Sequence, residues 1–169
     1  MPDSAVHPPA GRAAELIATL QLQPHPEGGW FREFFRSPHA VDPRDARPER
    51  SALTSIDFLL VQGQFSAWHR VDSDEAWHLL EGGPLRLWLV TPALDEVHCV
   101  ELGRAAEGRL PRHVVPSGWW QAAEPLGDFA YVGATVGPGF DFADFAFGRD
   151  GTALRTALQQ LRPDLQHLL

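Results

Sequence analysis

Gly63-Gln-Phe-Ser-Ala-Trp-His69-Arg-Val71-Asp-Ser-Asp-Glu75-Ala-Trp-His78-Leu-Leu-Glu-Gly82 is the stretch from which the fold can be read. Side chains alternate between the two faces of a strand. His69 therefore shares a face with Phe65, Ala67 and Val71, while Ser66, Trp68 and Arg70 take the other. After the turn signal Asp72-Ser-Asp74, Glu75 shares a face with Trp77 and Leu79. The alternation predicts a hairpin that brings His69 and Glu75 onto adjoining strands facing one interior. A histidine and a carboxylate converging in an apolar cavity can bind a metal, act as base and acid, or satisfy each other structurally.

Similar short runs extend in both directions. Trp30–Arg36, Ala52–Val61, Phe65–Val71, Glu75–Leu80, Leu85–Val90, Val97–Leu102, His113–Val115, Trp119–Ala123 and Phe129–Val136 are rich in aromatic and β-branched residues and separated by Gly, Pro and Asp. Many strands at this spacing predict an antiparallel sandwich or barrel. Leu16, Ile17 and Leu20 predict a helix over Ala13–Leu22, and Leu154, Leu158 and Leu161 predict another from Thr152, stopped by Pro163. Residues 1–12 are expected to be a disordered N-terminus ahead of one domain over residues 13–169. The polar, Pro-rich segment 38–50 is expected to be a mobile loop, and the glycines and aromatics of Val136–Phe145 are expected to close one end of the barrel.

The spacing of the central stretch resembles the first motif of the cupin superfamily, with Gly63, His69, Glu75 and Gly82 in register and Val71 in place of the second histidine. The second cupin motif is partly visible at Pro116-Ser-Gly118-Trp-Trp-Gln121, where Gln121 replaces a histidine and Pro125 an asparagine. His25-Pro-Glu-Gly-Gly-Trp-Phe-Arg-Glu33, Ser66–Arg70, Asp74–His78, Val115–Trp119 and Val136–Phe142 further resemble the cupin-5 family, a single-domain family first catalogued as a domain of unknown function. The resemblance implies an all-β cupin jelly-roll β-barrel with short terminal helices. It also implies a homodimer, and a shape related to nucleotide-sugar epimerases, but it supplies no reaction.

The residue types leave three functional readings. In the preferred one, a small-molecule-binding cupin performs isomerase, epimerase or lyase chemistry by proton transfer, without a cofactor. His69 is then the base, Glu75 orients its imidazole, and Tyr131, the chain's one tyrosine, is the opposing proton donor. In the second, His69, Glu75 and Gln121 weakly hold a divalent metal for dioxygenase or isomerase chemistry. The third is a non-catalytic binding module. Arg32 is expected to clamp an anionic group, with Arg70 and Arg86 as further candidates, while Trp77 and Trp119 share an inward face with Glu75 and Gln121 as pocket walls. Parity turns His78 away from the pocket, and His98 and His113 read as surface groups. The expected ligand is a sugar, nucleotide-sugar or organic acid.

Composition narrows these readings. The 169 residues contain no lysine and no asparagine, so all 14 cationic side chains are arginine against 22 carboxylates. Without lysine there is no Schiff base and no P-loop lysine. The net charge of −8 argues against nucleic acid and anionic membrane as partners. Cys99 is alone, so no intramolecular disulfide can form. No apolar run reaches transmembrane length, and the N-terminus lacks signal-peptide character, so the expected compartment is the cytoplasm.

Overall fold

The computed structural model describes residues 9–106 and 108–169. It begins with helix α1 (Gly11–Leu20), followed by strands β1 (Gln23–Pro24), β2 (Trp30–Arg36), β3 (Ala40–Val41), β4 (Arg50–Ser51), β5 (Thr54–Val61), β6 (Ser66–Val71) and β7 (Asp74–Gly82). Then come β8 (Leu85–Val90), β9 (Val97–Leu102), β10 (Arg112–Val115), β11 (Trp120–Pro125), β12 (Phe129–Gly137), β13 (Phe145–Phe147) and helix α2 (Thr152–Leu161). A 3-10 segment, Pro163–Leu168, completes the chain.

The strands form an antiparallel jelly roll of two facing sheets. One has the order β1-β2-β5-β12-β7-β10 and the other β13-β6-β11-β8-β9; the two are not joined into one closed barrel. Period-two burial is clearest in β12, where Ala130, Val132, Ala134 and Val136 are buried and their neighbours are not. Phe58, Leu60 and Val132 of the first sheet meet Leu85, Leu87 and Leu89 of the second in the main core. The second sheet's outer face is covered by the C-terminal segment, which brings Leu154, Leu158, Leu165 and Leu168 against Trp68 and Trp88. Helix α1 covers part of the first sheet's outer face, placing Ala13 and Leu16 beside Leu59.

Three expectations are corrected. Strands β6 and β7 do not form a hairpin: β6 pairs with β11 and β13, whereas β7 pairs with β10 and β12. The short turn between them crosses from one sheet to the other, so His69 and Glu75 face each other across the sandwich. Gly11 and Arg12 already belong to α1, and Arg12 binds Glu81 through its Nε at 2.6 Å, so the ordered chain starts before residue 13; residues 1–8 of the expected disordered N-terminus lie outside the described residues. The 38–50 segment carries the β3/β4 pair, and its Arg50 donates to both carboxylate oxygens of Asp144 at 2.9 and 2.8 Å. Arg47 adds bonds to Asp144 and Ser73. Composition marks this loop as mobile, but its arginines find a carboxylate far along the chain.

The C-terminal cover should matter energetically. Leu165 is 2% exposed, and its carbonyl accepts the indole N–H of the fully buried Trp68. Leu165→Ala should lower unfolding stability by about 2–5 kcal/mol in urea titration, the range for a buried leucine truncation. An effect below about 1 kcal/mol would mean that the segment is not part of the core.

Candidate functional site

A cavity of about 310 Å³ opens between the sheets. Its walls come from β2, β5, β6, β7 and β12, with Phe140, Asp141 and Phe142 at one side. His69, Val71 and Glu75 line it as the alternation requires. Two further lining residues, His25 and Glu27, belong to the turn between β1 and β2.

That turn is closed by bonds from the Gly28 and His25 amides to the His25 and Gly29 carbonyls. It is stitched to β6 by a hydrogen bond from the Ala67 amide to the Glu27 carbonyl at 2.9 Å. Gly28 (φ 109°) is needed because a Cβ there would run into the Phe65 carbonyl oxygen. The turn carries the Glu27 carboxylate inward, where it accepts from Ser66 Oγ at 2.6 Å and lies 3.2 Å from His69 Nδ1. His69 Nδ1 is also 2.8 Å from the Ala67 carbonyl oxygen. A carbonyl can only accept, so Nδ1 carries the proton and Nε2 keeps its lone pair. His25 is set the other way: its Nδ1 accepts the Glu27 amide at 3.1 Å. Burial lowers the pKa of both imidazoles and raises that of Glu27; Glu27 opposes the His25 shift and His69 adds to it, Glu75 and the Ala67 carbonyl oppose the His69 shift, and His25 and the Ser66 hydroxyl oppose that of Glu27.

A second chain of bonds starts in the core. Trp77 donates its indole N–H to Gln121 Oε1 at 2.9 Å, and Gln121 Nε2 donates to Glu75 Oε2. An indole is only a donor, so it fixes the amide orientation and turns the NH2 group toward Glu75. His69 and Gln121 are cross-strand neighbours on β6 and β11, while Glu75 comes from the facing sheet. Burial pushes the Glu75 carboxyl up to about 7; His69 pulls it down, Glu27 raises it and the Gln121 amide lowers it.

Several expected roles are reassigned by position. The Ala67 carbonyl holds the His69 Nδ1–H, with a Glu27 oxygen 3.2 Å from the same nitrogen, and Glu75 acts on the imidazole through its charge. Tyr131 lies on the outer face of its sheet, where its hydroxyl donates to Asp57 at 2.7 Å and it packs with the α1 cluster, so it does not line the cavity. Arg32 binds the same Asp57 at 3.1 Å and is equally remote. Trp77 is buried core that reaches the site only through Gln121. Trp119 packs against the main core and lies 5.5 Å from the His98 ring, without lining the cavity. Arg70 lies over Trp120, and Arg86 pairs with Glu101. His78 pairs in register with Arg112 and Gly133 and does not line the cavity, as its parity requires.

The arginine that does reach the cavity is Arg36. A bulge between Glu33 and Phe35 places Glu33 opposite Ile56 and Arg36 opposite Thr54, so two residues three apart share a face. Strict alternation misses this. Glu27 left a signal, the His-Pro-Glu-Gly-Gly turn, but nothing in its spacing says that the turn folds under β6.

The expected metal set does not fit. The Gln121 oxygen, the amide's one good ligand atom, is taken by Trp77, and its NH2 group is aimed at Glu75. Among the described residues, no group of three or more His, Cys, Asp or Glu side chains is arranged to hold a metal ion. Protein dialysed against zinc, manganese or iron and then buffer should retain less than a tenth of an equivalent by elemental analysis; a full equivalent, lost in His69→Ala, would contradict this geometry.

The Glu75 shift makes a separate prediction. Its folded pKa of about 7 exceeds the ordinary 4.5, so the folded state binds the extra proton. This stabilising contribution is complete below about pH 4.5 and is lost as pH rises through about 7, an effect of about 3 kcal/mol. Glu75→Gln should be more stable than the native chain at about pH 8 and should lose this slope in denaturant titrations. An unchanged slope would show that Glu75 titrates normally.

Comparison with known proteins is consistent with this architecture. A solved protein from Shewanella oneidensis is 32% identical, with 94% of this chain and 95% of that one covered and a TM-score of 0.78. A hypothetical protein from Leishmania major is 31% identical over 91% and 94% of the two chains, with a TM-score of 0.77. An uncharacterized protein of Saccharomyces cerevisiae is 27% identical over 82% of this chain and 76% of its own. Oxalate decarboxylase from Bacillus subtilis shares the fold alone, at 17% identity and a TM-score of 0.56, over 86% of this chain and 36% of that one. The profile described as Cupin superfamily (DUF985) matches residues 14–148, and the chain belongs to that family.

Proposed function

We propose that this cupin binds a small molecule between its sheets and moves a proton to and from a carbon beside a carbonyl, as an isomerase or epimerase does, without a metal. The observation that carries this reading is the state of His69. Its Nδ1 proton is committed to the Ala67 carbonyl with Glu27 beside it, and burial keeps the ring neutral, so Nε2 is available as a base on the cavity wall. Glu75, from the opposite sheet and with a pKa of about 7, takes the acid role first assigned to Tyr131. A base and an acid on opposing walls suit proton removal from one face and return from another, and a lyase would use the same pair.

Incubation in deuterium oxide with a panel of aldoses, ketoses and uncharged ketones tests this reading. Deuterium should enter the carbon beside the carbonyl, and His69→Gln should slow exchange at least about 100-fold. Exchange with none of them would instead favour a non-catalytic binding module. Self-association through the outer face of the six-stranded sheet belongs to the same proposal; Leu80 and Val114, 55% and 54% exposed, support it. Among the described residues, no helix is long and apolar enough to cross a membrane.

A further inference from the structure

The charges around the cavity bear on what can enter it. Four carboxyl groups line it: Glu27 and Glu75 inside, and Glu33 and Asp141 with Arg36 at the mouth. Arg36 is the one arginine among the described lining residues, and the chain has no lysine to add to it. All three guanidinium nitrogens are already engaged. Nε and one terminal nitrogen each donate to a Glu33 carboxylate oxygen at 2.8 Å, and the other terminal nitrogen donates to the Phe140 carbonyl at 3.1 Å. The two imidazoles inside are kept neutral by burial. Among the described residues, an anion entering here meets carboxyl groups and no free cation, while Phe31, Ile56, Val136 and Phe140 offer apolar contact. At about 310 Å³ the space suits a compact molecule.

We infer that the cavity takes a compact uncharged or cationic molecule with an apolar face and a hydrogen-bonding group, and that Glu33, by occupying Arg36, is the specificity-determining residue that excludes anions. Organic acids and nucleotide-sugars are thereby removed from the ligands first expected; neutral sugars remain, and amines join them. The inference rests on the cavity being the ligand site but not on turnover there.

Three probes of one shape test it: benzyl alcohol, benzylamine and benzoate, titrated by ligand-observed saturation-transfer NMR at low ionic strength. Benzyl alcohol and benzylamine should bind at least about tenfold more tightly than benzoate, since exposed charges at the mouth are only partly screened. Glu33→Gln should free Arg36 and tighten benzoate about fivefold while leaving benzyl alcohol within about twofold. Benzoate binding as tightly as benzyl alcohol, indifference of benzoate to Glu33→Gln, or no binding by any of the three would overturn the inference. Charge discrimination without deuterium exchange would retain this ligand class and remove the catalytic reading; exchange without discrimination would do the reverse.

Discussion

The hydrogen bond from the Ala67 amide to the Glu27 carbonyl ties the turn between β1 and β2 to the inner strand β6, and the site depends on that tie. It holds the Glu27 carboxylate against Ser66 Oγ and beside His69 Nδ1 in the interior. A buried carboxylate is costly unless it is hydrogen-bonded or neutralised. Here the Ser66 hydroxyl donates to it, while the Ala67 carbonyl, which can only accept, settles which nitrogen of His69 bears the proton. The same turn presents His25, whose ring sits edge-on to Phe31 at 4.4 Å and Phe58 at 5.5 Å. One backbone contact thus links chain path and cavity wall.

The facing sheet brings a polar chain of similar logic. Trp77 lies in the core, and its N–H needs an acceptor there. Gln121 supplies one and passes a donor on to Glu75. The amide stands where the second motif of the cupin superfamily, which this segment resembles, has a histidine, and its orientation changes the chemistry of the position. A histidine would offer a lone pair to a metal, whereas this amide offers N–H bonds to a carboxyl group. The carboxyl gains a partner that can stay in place whether it is charged or protonated, which suits a group that titrates near neutrality. Phe145, stacked on His69 at 5.5 Å, and Phe140 bound water-excluding surface near the imidazole, and the segment carrying them is anchored by the Arg50–Asp144 pair.

Much of the fold was legible because strand alternation is a local property. The runs Trp30–Arg36, Leu85–Val90 and Val97–Leu102 are strands with the bounds read from the sequence, and α2 covers the Leu154, Leu158 and Leu161 run. Alternation also placed His69 and Glu75 toward one interior and His78 outward, whereas for Gln121 it fixed only a face shared with Trp119. It failed where the answer depended on what a strand pairs with. Asp72-Ser73 reads equally well as a hairpin turn or as a crossing between sheets, and only the partners of β6 and β7 decide. The bulge at Phe34 reverses parity within β2, bringing Arg36 to the cavity while Arg32 stays outside. Tyr131 sits on a strand of the cavity sheet but at an outward position, and its lone occurrence in the sequence had no bearing on which way it faces. Glu27 was hidden because its burial comes from a turn folded against a strand some forty residues later.

The proposed base is a neutral His69, with its proton on Nδ1 and a lone pair left on Nε2. Nitrogen NMR of imidazole-labelled protein, resolved by comparison with His69→Gln, reads both ring nitrogens directly across the neutral pH range. The expected spectra show a protonated, hydrogen-bonded Nδ1 and an unprotonated Nε2 at neutral pH, with a second proton added only at a pH below the ordinary histidine range. A His69 ring protonated on Nε2, or doubly protonated at neutral pH, would contradict this assignment.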